Sequence, residues 1–251
     1  MTKATITHKD INESSTLVYG VRNRSVVYTL NDENGPIYAL DPVTGKGLWK
    51  FSLKGVKLKD PEALDLSTGA NFTLWDGGNN DLDRSVLQAY VFPEPAFKST
   101  AAIKATKYDL AYPAGHRFDS ETLLVHPITG AKSVLTKSEG EALIFDFPDD
   151  LTKKSINHLV PAGVLDLSLV SDGSFTPDGK HALFREKGVR TNVAVVEWET
   201  RRLVDRITVE AVDQPESIAV RRDGEVFSFG SEGLKSPLFT DVMPEWLRDA
   251  A

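Results

Sequence analysis

The chain has 251 residues, 41% of them hydrophobic and 26% charged, a balance that supports one substantial core and sets aside disorder and fibrous repeats. Its formal charge of −7, from 29 Lys+Arg against 36 Asp+Glu, argues against a partner held by counterion release, so no nucleic acid is expected. With no cysteine, thiol catalysis, disulfides, zinc knuckles and iron–sulfur clusters fall away together.

The N-terminal segment MTKATITHKDINESS holds no apolar run of signal-peptide length, and no window approaches the roughly 18 apolar residues of a membrane span, so membrane insertion is not expected. Along the chain follow short runs rich in β-branched and aromatic residues: STLVYGV, SVVYTL, PIYAL, GLWKFSL, VLQAYVF, ALIFDF, HALFRE, NVAVVEW and VFSFG. Each is bounded by Gly, Asp, Asn or Pro and reads as a strand. Helical periodicity is confined to KDPEALDL and the tail MPEWLRDA, which leaves no crossover helices for a parallel sheet. The expected class is all-β.

An internal repeat then sets the architecture. An acid-led strand running into a turn recurs as DPEALDLSTG, DSETLLVHPITG, VSDGSFTPDG and QPESIAVRRDG, with NESSTLVYGVRN a weaker copy. The acids Glu13, Glu62, Glu121, Asp172 and Glu216 stand 49, 59, 51 and 44 residues apart. Four-stranded blades take about 40 to 50 residues, so one domain over 1–251 forming a five-bladed β-propeller is expected. The blades fall at about 11–57, 58–114, 115–165, 166–213 and 214–245. The last stretch supplies only three strands, and the N-terminal strand 3–10 is expected to complete it and close the ring, removing exposed edges.

The first strand of a propeller blade lines the central channel, so Glu62, Glu121, Asp172 and Glu216 are expected to converge there. Two readings stand side by side. Crowded carboxylates repel one another, and a hard cation such as Ca2+ would relieve this as a bound cofactor; alternatively the acids accept hydrogen bonds from backbone amides. Loops joining second to third strands (NDENGP, WDGGNNDLDR, TKSEGE, REKGVR, GSEGLKS) share that face and gather Asp32, Glu33, Asp76, Asn79, Asn80, Arg84 and Lys137 as a candidate ligand-binding surface, or else as plain hydrophilic turns. Catalytic patterns are thin: there is no HExxH and no GxSxG. Only His116 stands near the expected mouth, where with a calcium-bound water it would serve as general base of a lactonase or phosphoesterase. Trp49, Trp75 and Trp198 read as core, Trp75 partly exposed beside its loop.

The segments STLVYGVRNRSVVYTLNDENGPIYALDPVTG, DPEALDL, WDGGNNDLDRSVLQAYVFPEP, SETLLVHPITGAKSVLTKSEG, LVSDGSFTPDG and ESIAVRRDGEVFSFGSEGLKSPLF resemble the propeller-type minor tail proteins of bacteriophages infecting actinobacteria, from about Ser15 to Pro244. More distantly the chain is similar to bacterial propellers of the NHL, SdiA-regulated and phytase-esterase-like kinds, some of which bind calcium in the channel. In relatives the second-blade loop reads Asp-Ile-Gly-Asp-Asn followed by Arg; Asp76, Gly78, Asn80 and Arg84 match, whereas Gly77 and Asn79 depart. The resemblance implies a virion component of the tail tip or baseplate, assembled in the host cytoplasm. Its implied partners are other tail proteins and a host-envelope receptor or glycan, and it implies a homo-oligomer. The alternative reading is a calcium-dependent hydrolase acting on an envelope or small-molecule ester.

Overall fold

A computed structural model describes residues 1–248. The N-terminal strand β1 (Thr2–Thr5) is followed by β2 (Val18–Tyr19), β3 (Val27–Thr29), β4 (Ile37–Leu40) and β5 (Gly47–Phe51), of which the last four form the first blade. The second blade is β6 (Ala63–Leu66), β7 (Asn71–Asp76), β8 (Leu87–Pro93) and β9 (Thr106–Ala111). The third is β10 (Thr122–Val125), β11 (Lys132–Leu135), β12 (Ala142–Asp146) and β14 (Val160–Leu165), with the short β13 (Asn157–His158) leaving it to pair in parallel with β9. The fourth is β15 (Val170–Phe175), β16 (His181–Glu186), β17 (Asn192–Glu197) and β18 (Arg202–Thr208). The fifth is β19 (Pro215–Val220), β20 (Val226–Ser231) and β21 (Pro237–Val242), completed by β1. The chain is thus an all-β, five-bladed propeller of four-stranded antiparallel sheets.

Of the two helical patterns, KDPEALDL holds strand β6, because Leu64 and Leu66 are needed on one face of a sheet; the tail forms one helical turn, α1 (Glu245–Arg248), and its last two residues lie outside the described ones. Period-two alternation sends successive side chains of a blade toward opposite neighbours. In the second blade Leu64, Leu66, Phe72, Leu74, Tyr90 and Phe92 pack on the first blade. Ala63, Trp75, Leu87, Ala89 and Leu110 pack on the third. Every sheet is therefore apolar on both faces, which only a closed ring can satisfy.

Closure is antiparallel pairing of β1 with β21, Thr2 opposite Thr240 through Thr5 opposite Pro237. It continues as the Ile6 amide donates to the Ser236 carbonyl at 2.9 Å. Ile6 and Ile11 are fully buried between the fifth and first blades. Deleting residues 1–7 is expected to lower the melting temperature of the whole ring in one cooperative transition, and Ile6→Ala alone to cost about 2–4 kcal/mol in urea unfolding. A separate early transition confined to one blade would contradict this.

Candidate functional site

The five first strands align on the residue whose amide opens the following turn: Gly20, Ser67, His126, Thr176 and Arg221 donate to the carbonyls of Val26, Asn71, Ala131, His181 and Val226. Five positions earlier in each copy stand Ser15, Glu62, Glu121, Ser171 and Glu216. Three of the four expected channel acids therefore share one level. Asp172 does not: it lies one residue deeper, level with Thr16, Ala63, Thr122 and Ser217.

That displacement gives Asp172 a different task. Its Oδ2 accepts the amides of Leu17 (3.2 Å) and Ile218 (2.9 Å), and its Oδ1 accepts that of Gly173 (2.9 Å). The Thr16 hydroxyl lies 3.4 Å from both Asp172 Oδ1 and the Leu64 carbonyl. One carboxylate thus ties the first, fourth and fifth blades together, the amide-accepting role rather than the calcium-binding one. Burial pushes its pKa well up, opposed by the three amides. Asp65 does similar work between the second and third blades: its Oδ2 accepts the Val125 amide at 2.6 Å, and burial pushes it up to about 6.

The upper level is a crowded acidic mouth. Lys137 pairs with Glu121, and Lys187 with Glu216 at 3.0 Å. Lys137 and Lys187 occupy equivalent places, each amide donating to a carbonyl two residues before its blade's mouth residue, Asp119 and Leu169 respectively. In the second blade that place is Gly78, whose amide donates to Asp60 O. A Cβ there would overlap the Asp60 carboxylate. In the fifth blade that place is Glu232, and the lysine of Glu216 comes from the fourth blade; Glu62, 5% exposed, has no ion pair or hydrogen-bond donor among the described residues. Burial first, then Glu121, Asp60 and Asp119, push Glu62 well up against the pull of Lys137, and burial pushes Glu121 up to about 8 against the same lysine. With Asp172 held by amides and Glu121 and Glu216 held by lysines, the four expected metal ligands do not form one calcium site. Among the described residues no three His, Asp or Glu side chains are placed to hold a metal ion.

The second-blade loop is scaffold as well. Asp76 is buried and accepts the amides of Lys59 (3.0 Å) and Asp60 (2.9 Å) and the Arg84 guanidinium (2.9 Å). Arg84 also donates to the carbonyls of Gly78 (2.6 Å) and Asp76 (2.8 Å). Asn79 accepts the Arg84 amide through Oδ1 and donates Nδ2 to the carbonyls of Arg84 (3.2 Å) and Phe118 (3.3 Å). An aspartate could not make those two donations, which gives the departure at Asn79 a structural cause. Asp76, Asn79 and Arg84 are therefore not a ligand-binding surface, because their polar atoms are spent inside the loop. Of the remaining expected face, Glu33 and Asn80 are exposed and Asp32 and Lys137 half-buried. Trp75 is fully buried, its Nε1 donating to Ser120 at 2.9 Å. His116 is exposed and stacks on Phe118. Among the described residues its ring has no hydrogen bond or ion pair to a mouth acid.

Sequence reasoning missed Glu94. It is buried and accepts the amides of Val21 (3.1 Å), Arg22 (2.7 Å) and Asn23 (3.1 Å) and the Tyr28 hydroxyl (3.1 Å), anchoring the first blade's turn to the second blade. It lies outside the repeat and no signal pointed to it. The offset of Asp172 did leave a signal: aligned on the turns Asp178-Gly179 and Asp223-Gly224, Glu216 faces Ser171.

No protein-family model matches the chain, and no curated protein matches it in sequence.

Asp172→Ala would strand three buried amides and is expected to cost at least about 3 kcal/mol of folding stability, read by denaturant unfolding; a loss below 1 kcal/mol would contradict its role. The buried acids also set the pH dependence. Carboxyls whose pKa is raised by folding hold protons more tightly when folded, so their contribution is full below the unfolded value and is lost as pH rises through the folded one. For Glu121 that window runs from the ordinary glutamate value of 4.5 to about 8. The melting temperature should therefore rise between pH 8.5 and pH 5, with a shallower slope in Glu121→Gln.

Proposed function

We propose that this propeller is a non-catalytic component of a phage tail, a rigid disc that docks on other tail proteins and presents its polar face to the host cell envelope. The carrying observation is the division of its polar residues: Asp76, Asn79, Arg84 and Asp172, buried and internally bonded, hold the disc together, while Glu33, Asn80 and neighbouring loop residues are left to solvent. That division suits display, since a scaffold that does not rearrange holds its loops ready to bind. The segments resembling minor tail proteins of actinobacteriophages supply the setting: a virion tail assembled in the host cytoplasm, a receptor or glycan of the envelope as target, and several copies per particle. Multiple copies would turn weak single contacts into firm attachment through effective concentration.

Apolar residues on outer strands and loops support docking on protein neighbours. Val160 and Val164 on the outermost strand of the third blade are 49% and 42% exposed, and Val242 and Trp246 near the ring seam are 56% and 43% exposed. Mass spectrometry of purified particles should find the protein, and antibody raised against it should decorate the tail tip in electron micrographs. Its absence from particles would remove the tail reading.

A further inference from the structure

We propose that a pocket on the first blade receives the Asp81-Leu82-Asp83 loop of a second copy of this chain, so that discs associate with the mouth face of one against the opposite face of the next. The proposal goes beyond the tail reading and does not rest on it. The pocket, about 500 Å³ in volume, opens at the ends of the first and fifth blades remote from the acidic mouth, where the turns after β2 and β4 meet strands β1 and β21. Its apolar lining comes from Pro42, Val43, Leu48 and Phe97, of which Val43 and Phe97 are exposed. Its charge is mainly basic. Arg24 on the rim is exposed, and among the described residues its guanidinium has neither an ion pair nor a hydrogen bond. The Lys98 ammonium stands over the Phe97 ring, 5.4 Å from its centre. Arg221 is paired with Asp223 at 2.8 Å, and the one lining acid, Asp41, spends Oδ1 on the amides of Val43 (2.8 Å) and Thr44 (3.2 Å). An apolar group with negative charge on its flanks is the complement of such a rim.

The mouth face carries that complement. Of the large apolar residues left exposed among the described ones, Leu82 alone is flanked by an acid on each side. Asp81 and Asp83 are exposed; Asp81 has no partner among the described residues, and Asp83 has only Lys59 at 3.9 Å. The loop is held in place. The Leu82 amide donates to the Asn79 carbonyl (2.8 Å), the Leu82 carbonyl accepts from Arg117 Nη1 (3.1 Å), and the Arg84 amide donates to Asn79 Oδ1 (2.8 Å). Leu82 sits in the left-handed region at φ 52°, a conformation costly for a leucine, and remains 47% exposed between its two aspartates. An apolar tip fixed in this way loses little freedom when it is bound. The loop joins β7 to β8 at the mouth end of the second blade, whereas the pocket lies at the opposite end of the first. The contact is therefore heterologous: a pair of discs keeps one free loop and one free pocket, and association can continue past the pair.

Sedimentation of the protein over a concentration series should show reversible self-association at low salt that weakens as salt is raised, since the charges on both sides are exposed. Two single substitutions examine the contact from its two sides. Leu82→Asn removes the apolar tip with a residue suited to the left-handed backbone, and Arg24→Glu reverses the cation that has no partner. Both should melt at or above the parent temperature, and each alone should associate about tenfold more weakly or less still. Mixed together, they should form a one-to-one complex that grows no further, because Arg24→Glu retains the loop and Leu82→Asn retains the pocket. Association unchanged in both variants, or a mixture that stays monomeric while the parent associates, would overturn the proposal. A monomeric parent overturns it as well; if a synthetic peptide containing Asp-Leu-Asp then binds the parent and not Arg24→Glu, the occupant is a segment of another protein. A monomeric parent leaves the tail reading untouched, and absence of the protein from particles leaves this contact untouched.

Discussion

Ring closure is the constraint on which the rest of this structure depends. Each blade is apolar on both faces, so no blade can stand at the end of a row without exposing a core surface. Pairing β1 with β21 resolves this by making the first and last segments of the propeller neighbours in one sheet. The same pairing converts five modest sheets into one cooperative body, because loosening the seam uncovers Ile6 and Ile11 and with them the interface between the fifth and first blades.

Five sheets around one axis bring five inner strands close together, and their inward edges carry amides with no strand beyond them to accept their hydrogen bonds. Buried amides need acceptors. Asp172, Asp65 and the Ser174 hydroxyl provide them, the last accepting the Val220 amide at 3.0 Å. A short acidic side chain is well suited to the deepest position because one carboxylate can serve amides from two other blades at once. The acids at the axis are therefore a consequence of geometry before they are a sign of chemistry. Their raised pKa values record the cost of burial, and they make the disc more secure in mild acid than in alkali.

Much of this was legible in the sequence. Blade number, strand order within the blades and the closing N-terminal strand all followed from a repeat, because period-two apolar runs between turn residues encode which faces must be covered. The site was less legible, and for a physical reason. Levels at the axis differ by a single residue, about 3.3 Å along a strand, and a serine in place of an acid at Ser171 moves the nearby Asp172 from mouth to axis. The second-blade loop misled in a different manner. Polar residues around Gly77 and Gly78 look like a ligand surface, yet Asp76, Asn79 and Arg84 complete one another, and only the pairing of donors with acceptors reveals it. Trp75 follows the same pattern, since the hydroxyl that accepts its indole N–H is Ser120 of the next blade, remote in the chain.

Thr16 and Asp172 are buried and bonded to each other between blades, so the groups left for interaction lie on the two faces and the outer strands. On the mouth face the charges are unevenly shared between blades: Lys137 of the third blade pairs with Glu121 and Lys187 of the fourth with Glu216 of the fifth, while Glu62 of the second has no ion pair among the described residues and feels Lys137 only at longer range, so the acids of this face are balanced between blades and not within each one.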